Sequence, residues 1–597
     1  MFQSFTEATS PDQGPPRLAA LRRVLAQDGL DGFLVPRADR HQGEYVAGRD
    51  ERLAWLTGFT GSAGFCAVLA EKAAIFIDGR YTVQVKSQVA SDFTPVNWPE
   101  TKLEDWLVEA LPNGGAVGFD PWLHTSAEIE RMEKALTPAQ ITLRPVSNKI
   151  DAIWDDQPPA PEAPAYAYPP EIAGKTSGEK REEIAGALRD AGQSAAVLTL
   201  PDSIAWLLNI RGDDLPHLPV TQAFAILHAD ARVSLFSDPE KFDDLGPDPS
   251  IDLAHWDAFT PALEALTGPV RVDPATAPHQ VKLILDGAGV EIAKGDDPCI
   301  LPKARKTEAE ITATKAAHIR DGVAMAQFLH WLDDTAPGGG LTEIDCARKL
   351  EAFREETGAL RDISFDTISA AGAHAALPHY RVSEASNATL TSGEVYLVDS
   401  GGQYLDGTTD ITRTIAIGEP SEEVKSAFTQ VLRGMIAIHR LRFPKGLAGQ
   451  HLDAFARAPL WAAGRDFDHG TGHGVGVFLS VHEGPQRLSR ISKTVLEPGM
   501  ILSNEPGYYR EGHFGIRIEN LIVVRTADPV EGGDDRPMLK FETITWAPID
   551  RRLIDATALD PVETDWIDGY HAQVAAKIGP HLPPDTANWL KHATAPL

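Results

Sequence analysis

The stretch GEVYLVDSGGQYLDGTTDITRTIAIGEP, residues 393–420, decides how the last part of this chain folds. It reads as two β-runs, VYLVD and DITRTIAI, joined by GGQYLDG. Gly401, Gly402 and Gly407 are expected to supply the backbone freedom of the turn. Asp399 ends the first run and Asp410 opens the second. A carboxylate at the end of a buried run is costly unless something compensates it. A hairpin would also bring the two like charges together. A cation between them resolves both difficulties. Two Asp residues capping surface turns would resolve them equally well.

The stretch DHGTGHGVG, residues 468–476, bears on that choice. His469 and His473 have the spacing of a helical metal pair. However, Gly470, Gly472, Gly474 and Gly476 interrupt every second position, and the Glu that HExxH requires is absent. A phosphate loop of the GxxxxGK[ST] kind needs a Lys, and residues 468–480 contain none. The segment is therefore expected to be extended or irregular, with a backbone able to come close to a site. FLSVHEGP adds His482. Glu505 in ILSNEPGYY and Glu519 in GIRIEN are again carboxylates at β positions, with the turn REGHFG between them. Asp399, Asp410, Glu505 and Glu519 bring four negative charges, which two divalent cations would balance. Oxygen donors with one imidazole suit a hard ion such as Mn2+. Two metals about 3.5–4 Å apart form a common hydrolytic centre.

The chain has 597 residues, enough for three or four domains at about 150 residues each. Its 85 acidic residues against 55 basic ones argue against nucleic acid as a partner. Cys66, Cys299 and Cys346 form no CxxC, which points to reduced thiols and a cytoplasmic protein. The N-terminus lacks the basic and apolar regions of a signal peptide. No apolar run approaches the ~18 residues of a membrane span. Proline-rich residues 155–174 read as an extended linker, because proline blocks helix and ladder pairing. A second linker, residues 293–310, ends in a capping box, Thr307 with Glu310, that opens a long helix. Ahead of it, helix, buried strand and a helix containing AWL occur twice, as in a repeated α/β domain. The expected domains are 1–155, 156–300 and 301–597.

With these residues in place the chain resembles the pita-bread metallopeptidases of family M24B. The order Asp, Asp eleven residues on, His, Glu, Glu is that family's five-ligand signature, here Asp399, Asp410, His473, Glu505 and Glu519. The resemblance is greatest to its long, three-domain, cytosolic Xaa-Pro aminopeptidase (aminopeptidase P) branch, and it covers nearly the whole chain. HQGEYVAGRDERLAWLTGFTGSAG and IDGRYTVQV resemble its first domain and IAWLLNIRGDDLPHLPV its second. LPHYRV, HGTGHGVGVFLSVHEGP and SNEPGYYREGHFGIRIEN resemble its catalytic domain, and FETITWAPIDRRLID its C-terminal extension.

The resemblance implies two creatinase-N-like α/β domains followed by an α+β pita-bread catalytic domain. It implies hydrolysis of the N-terminal Xaa-Pro bond of peptides by a hydroxide activated by two divalent ions, most commonly Mn2+. Asp399 would chelate one ion, His473 and Glu505 the other, and Asp410 and Glu519 would bridge. Glu505 would accept and donate the proton. His379 and His482 would bind the substrate carbonyl and its oxyanion. His469 would line the proline side, and Arg80 and Glu44 would help bound the peptide channel of a homodimer. No nucleic acid or membrane is implied. A prolidase-like dipeptidase is the alternative enzyme. A non-catalytic peptide-binding relative is the alternative outside catalysis, and such relatives usually lose ligands.

Overall fold

In the computed structural model, which describes residues 2–6, 9–82 and 84–597, the first half of the chain builds one sheet topology twice. The first six-stranded sheet runs Thr94–Asn97, Ala73–Ile77, Phe65–Leu69, Gly32–Pro36, Gly115–Phe119, Ile141–Pro145. The second runs Ile251–Ala254, Val233–Phe236, Phe224–His228, Ala195–Leu198, Val270–Val272, Ile292–Lys294. Taken across each sheet, the five pairings are parallel, antiparallel, antiparallel, parallel, parallel in both. The repeat legible in the sequence is thus a repeat of topology. Its helices are Gly14–Gln27 and Ser177–Asp190, each burying one face through Leu18, Leu21 and Leu25 or through Ile184, Ala185 and Leu188. Its AWL helices, Arg52–Thr57 and Pro201–Leu208, both stop at a left-handed residue, Gly58 and Asn209. His41 Nδ1, 3.0 Å from the Thr199 carbonyl, and Gln222, donating to Asp39, join the two halves.

The chain divides into two compact units, Ala8–Lys303 and Met1–Glu7 with Ala304–Leu597. Residues 155–174 are not wholly without pairing, contrary to the proline argument. Tyr166–Ala167 pairs with Ile210–Arg211, because those two residues lie between prolines and keep their N–H groups. Pro170–Ala173 forms one helical turn, since proline is compatible with a first helical position.

In the second unit, Thr307 and Glu310 form the expected capping box of the helix Glu308–Thr335. The two β-runs of residues 393–420 are the strands Val395–Ser400 and Ile411–Ala416, paired antiparallel with Asp399 opposite Thr412. Ile368–Ala371 flanks them, with Ile368 opposite Asp399. A six-stranded sheet follows in the order Arg442–Pro444, Met538–Thr543, Asn520–Thr526, Ile501–Asn504, Gly472–Gly474, Glu483–Leu488. The helix Glu422–His439 buries Phe428, Val431, Leu432 and Met435 in a core shared with Ile516, Ile518 and Trp546.

The glycines of GGQYLDG do a different job from the one expected. None of the three has positive φ. A Cβ on Gly401 would stand 1.9 Å from the Thr409 carbonyl oxygen, and one on Gly407 3.0 Å from Ala317 Cβ. They permit close approach of neighbouring chain. The same holds in DHGTGHGVG, where a Cβ on Gly472 would lie 1.9 Å from the Ser503 carbonyl oxygen and one on Gly474 2.4 Å from that of Glu483. Gly472→Ala is therefore expected to destabilise the protein by about 1–3 kcal/mol through overpacking, read as a lowered urea midpoint. An unchanged midpoint would show that the Gly472 and Ser503 backbones separate at little cost.

Candidate metal centre

Five predicted ligands come from two sheets. Asp399 is on Val395–Ser400 and Asp410 immediately precedes Ile411–Ala416. His473 is on Gly472–Gly474, Glu505 follows Ile501–Asn504, and Glu519 lies between Phe514–Arg517 and Asn520–Thr526. Thr412 ties the sheets together. Its carbonyl accepts from the Glu519 N–H at 3.1 Å and its hydroxyl donates to Glu519 Oε2 at 2.8 Å. The backbone of Glu505 is fixed by donation to the Thr471 carbonyl at 2.8 Å.

These carboxylates are not surface turn caps. Asp399, Asp410 and Glu519 are 7%, 3% and 1% exposed. Donor atoms of Asp410, His473 and Glu519 all lie within 4.8 Å of one another. His473 Nε2 is 3.5 Å from Asp410 Oδ2 and 3.4 Å from Glu505 Oε1. Its Nδ1 donates to the Gly474 carbonyl at 2.9 Å, which aims Nε2 at the carboxylates. Asp399 Oδ1 and Glu519 Oε1 are buried without a hydrogen-bond partner. Burial, with the Asp399 and Glu505 charges, holds the Asp410 carboxyl well above the usual range. Burial, with the Asp410, Glu505 and Asp399 charges, does the same to Glu519. Burial pushes Glu505 up to about 7, against the attraction of Arg517. So dense a set of buried acids, two of them with orphaned oxygens, is a cation site by its chemistry.

Sequence reasoning missed Arg517. Its Nη2 donates to Asp399 Oδ2 at 2.6 Å and its Nη1 to Tyr509 Oη at 2.7 Å. The Tyr509 hydroxyl and His469 Nε2 are 2.8 Å apart, while His469 Nδ1 donates to the Gly470 carbonyl at 2.7 Å. The His469 ring is thus held between the Gly470 carbonyl and Tyr509, at the end of a chain that begins at Asp399. A charged residue inside the apolar run GIRIEN is the same oddity that flagged Glu519, and it marks Arg517 equally well; Tyr509 carried no comparable signal. Arg457 supports the stretch from behind, donating to the carbonyls of Phe467 and His469 at 2.6 Å each. Replacing Arg517 by Met should cost about 3–5 kcal/mol, the range for breaking a buried ion pair. Urea denaturation of the metal-free protein measures it, and an unchanged midpoint would show that Asp399 does not depend on Arg517.

The remaining predicted residues are placed as follows. The rings of His482 and His473 meet edge to face with centroids 4.4 Å apart, so His482 borders the cluster. His379 is half-buried on the loop after the turn Gly372–Ala376, which packs tightly enough on Phe514–Arg517 that a Cβ on Gly515 would overlap the Ala375 carbonyl. Arg80 and Glu44 lie in the unit Ala8–Lys303. The Arg80 fork is engaged by Asp78 at 2.7 and 2.9 Å, and Glu44 adds its charge to the field on that guanidinium.

The chain matches the Metallopeptidase family M24 over residues 312–526 and a C-terminal region of that family over 537–597. It matches the Creatinase/Prolidase N-terminal domain twice, over residues 17–153 and 156–310, in agreement with the repeated sheet. It is 38% identical to a probable Xaa-Pro aminopeptidase P of Laccaria bicolor, over 97% of this chain and 93% of that protein. It is 36% identical to aminopeptidase P1 of Arabidopsis thaliana, over 97% and 99%. Its structure superposes on the X-prolyl aminopeptidase from Caenorhabditis elegans, described as a cytosolic enzyme with a di-nuclear active site. The TM-score is 0.91 at 32% identity, covering 98% of this chain and 99% of that one. With two creatinase-type domains ahead of an M24 domain and such identity along nearly its whole length, the chain belongs to the aminopeptidase P family of M24 metallopeptidases.

Proposed function

We propose that this protein is a metal-dependent Xaa-Pro aminopeptidase, hydrolysing the N-terminal Xaa-Pro bond of peptides at the cluster of Asp399, Asp410, His473, Glu505 and Glu519. The observation that carries the reading is the burial of Asp399, Asp410 and Glu519, with Asp410 and Glu519 within 4.8 Å of a His473 nitrogen and with unpartnered oxygens on Asp399 and Glu519. Two divalent cations would fit that donor set: Asp399 would hold one, His473 and Glu505 the other, and Asp410 and Glu519 would serve both. Mn2+ is the ion we assign, because oxygen donors outnumber the single imidazole. Bound there, such ions supply Lewis acidity toward a carbonyl and toward water.

The chain's own groups do the rest. Glu505 moves the proton, taking it from the attacking water at a carboxylate oxygen and returning it to the proline nitrogen. His482 and His379 donate to the carbonyl oxygen as it gains charge. His469, its ring fixed by Tyr509 and Gly470, lines the proline side. An Xaa-Pro bond has no N–H for a peptidase to read, so polarising the carbonyl and protonating the nitrogen must suffice. For Arg80 and Glu44 we assign contact with the peptide remote from the reacting bond. Residues 1–155 and 156–300 are taken as creatinase-like domains ahead of a catalytic domain, 301–597. A cytoplasmic homodimer is the proposed form; no helix among the described residues is long and apolar enough to cross a membrane.

The test is hydrolysis of Arg-Pro-Pro beside Ala-Pro by the Mn2+-loaded protein. Release of Arg from the tripeptide supports the aminopeptidase. Cleavage of Ala-Pro alone would make the protein a dipeptidase, and binding without turnover of either would make it a peptide-binding relative.

A further inference from the structure

Residues 2–6, the sequence FQSFT, are bound into the unit that holds the metal centre. Gln3 is buried, and its side-chain amide exchanges two hydrogen bonds with the backbone of Thr367. Nε2 donates to the Thr367 carbonyl at 3.2 Å, and the Thr367 N–H donates to Oε1 at 2.9 Å. This is the pairing a neighbouring strand would make, performed by a side chain. Phe5 is 5% exposed and packs with Ile344, Ala375, Tyr380, Val382 and Leu397. Its carbonyl accepts from the Glu384 N–H at 2.9 Å. The Phe2 N–H donates to Glu351 Oε1 at 2.6 Å.

The attachments of Gln3 and Phe5 lead toward the site. Thr367 precedes Ile368, which pairs with Asp399. Leu397 stands two residues before Asp399, on the same face of its strand. Tyr380, Val382 and Glu384 are the loop that follows His379. That loop is otherwise gathered by the buried Glu343 carboxylate, which accepts from the Ala371 and Ala388 N–H groups and the Tyr380 hydroxyl at 2.7, 2.9 and 3.0 Å. Phe5 fills the apolar ground between this loop and the Asp399 strand.

We propose that residues 2–6 form a positioning strap for His379, clamping the loop of residues 377–384 against the Asp399 strand so that the imidazole is set for the substrate carbonyl. The proposal rests on the role assigned to His379 above. Gln3 and Phe5 act through that loop and touch no reacting atom.

The experiment compares Phe5→Ala, Gln3→Ala and His379→Ala, alone and combined, on the Mn2+-loaded full chain with an Xaa-Pro-Xaa peptide. Turnover is expressed per metal-loaded site, so a loss of folded fraction does not enter. Phe5→Ala and Gln3→Ala should each lower kcat about tenfold, within what displacement of a contributing group by an ångström costs. Metal content should stay that of the parent. In the His379→Ala background neither change should lower kcat further. A variant with residues 2–6 replaced by Gly and Ser should regain kcat when the peptide FQSFT is added. Gln3→Ala leaves the core filled, so it decides the matter if Phe5→Ala does not fold. Parent kcat in Gln3→Ala and in the Gly/Ser variant, with His379→Ala impaired, overturns the strap and spares the role of His379. Full additivity of the Gln3 and His379 effects also overturns it. Parent kcat in His379→Ala overturns the assigned role and the strap with it.

Discussion

Asp410→Ala and Glu519→Ala should each abolish turnover and strip metal from the protein together. Both side chains are buried, both have carboxyls held far above their ordinary range, and both stand within 4.8 Å of a nitrogen of His473. If each is shared between two ions, removing either lowers occupancy at both positions, whereas loss of a terminal ligand leaves one ion better held. The fall in kcat/KM should be about a thousandfold or more, since the Lewis-acid contribution at such a centre is worth several kcal/mol. Glu519→Gln separates charge from shape. It keeps the Thr412 hydroxyl as a partner and nearly the same volume, yet it should lose metal almost as Ala does, because the amide brings no negative charge. Elemental analysis of the purified variants beside a peptide assay decides the matter. Two ions and parent turnover in Glu519→Ala would overturn the ligand assignment.

The four acids of that centre are legible in linear order because each breaks a local rule, and His473 stands among them in a glycine-interrupted stretch. A carboxylate at the end of an apolar run is an anomaly without any structure in hand, and four such positions drawn from several hairpins point to one site when taken together. What lies around them is less legible, for physical reasons. Arg517 sits in the same kind of run as Glu519, but nothing in the sequence says that its fork spans Asp399 and Tyr509. The Asp399 bond depends on Phe514–Arg517 packing beside Val395–Ser400, a pairing of segments more than a hundred residues apart that no local signal sets. Glycine is ambiguous in a second way. Gly401 and Gly407 look like turn residues, yet the structure uses them for the space a Cβ would occupy. Residue type cannot separate those two uses; only the neighbour on the other side can. The repeated α/β unit was readable because its helix and strand periods recur, whereas Phe5 in a short polar segment has no periodicity to declare that it is buried.

Removing metal should lower the melting temperature, and should lower it more at pH 8 than at pH 6. Ions that bind only the native chain stabilise it by mass action, about 4 kcal/mol for a site at a thousand times its dissociation constant. The pH dependence comes from the acids left behind. In the unfolded chain they titrate as ordinary carboxyls. In the native metal-free site Glu505 is pushed up to about 7, and Asp410 and Glu519 are raised as well. A raised pKa means that the native state holds protons the unfolded state has already released. The stability this gives is complete below the ordinary carboxylate range and is lost as pH climbs through the raised value. For Glu505 alone, moving from 4.5 to about 7 amounts to roughly 3 kcal/mol across that interval. With ions bound, these carboxylates are ionised throughout and the dependence vanishes, so the gap between loaded and chelated protein widens toward alkaline pH. The acidic remainder of the chain, at net charge −30, is common to both forms and cancels in the comparison. Thermal scans of loaded and chelated protein from pH 5.5 to 8.5 measure the gap. Parallel curves would mean that the buried acids are neutralised by something other than metal.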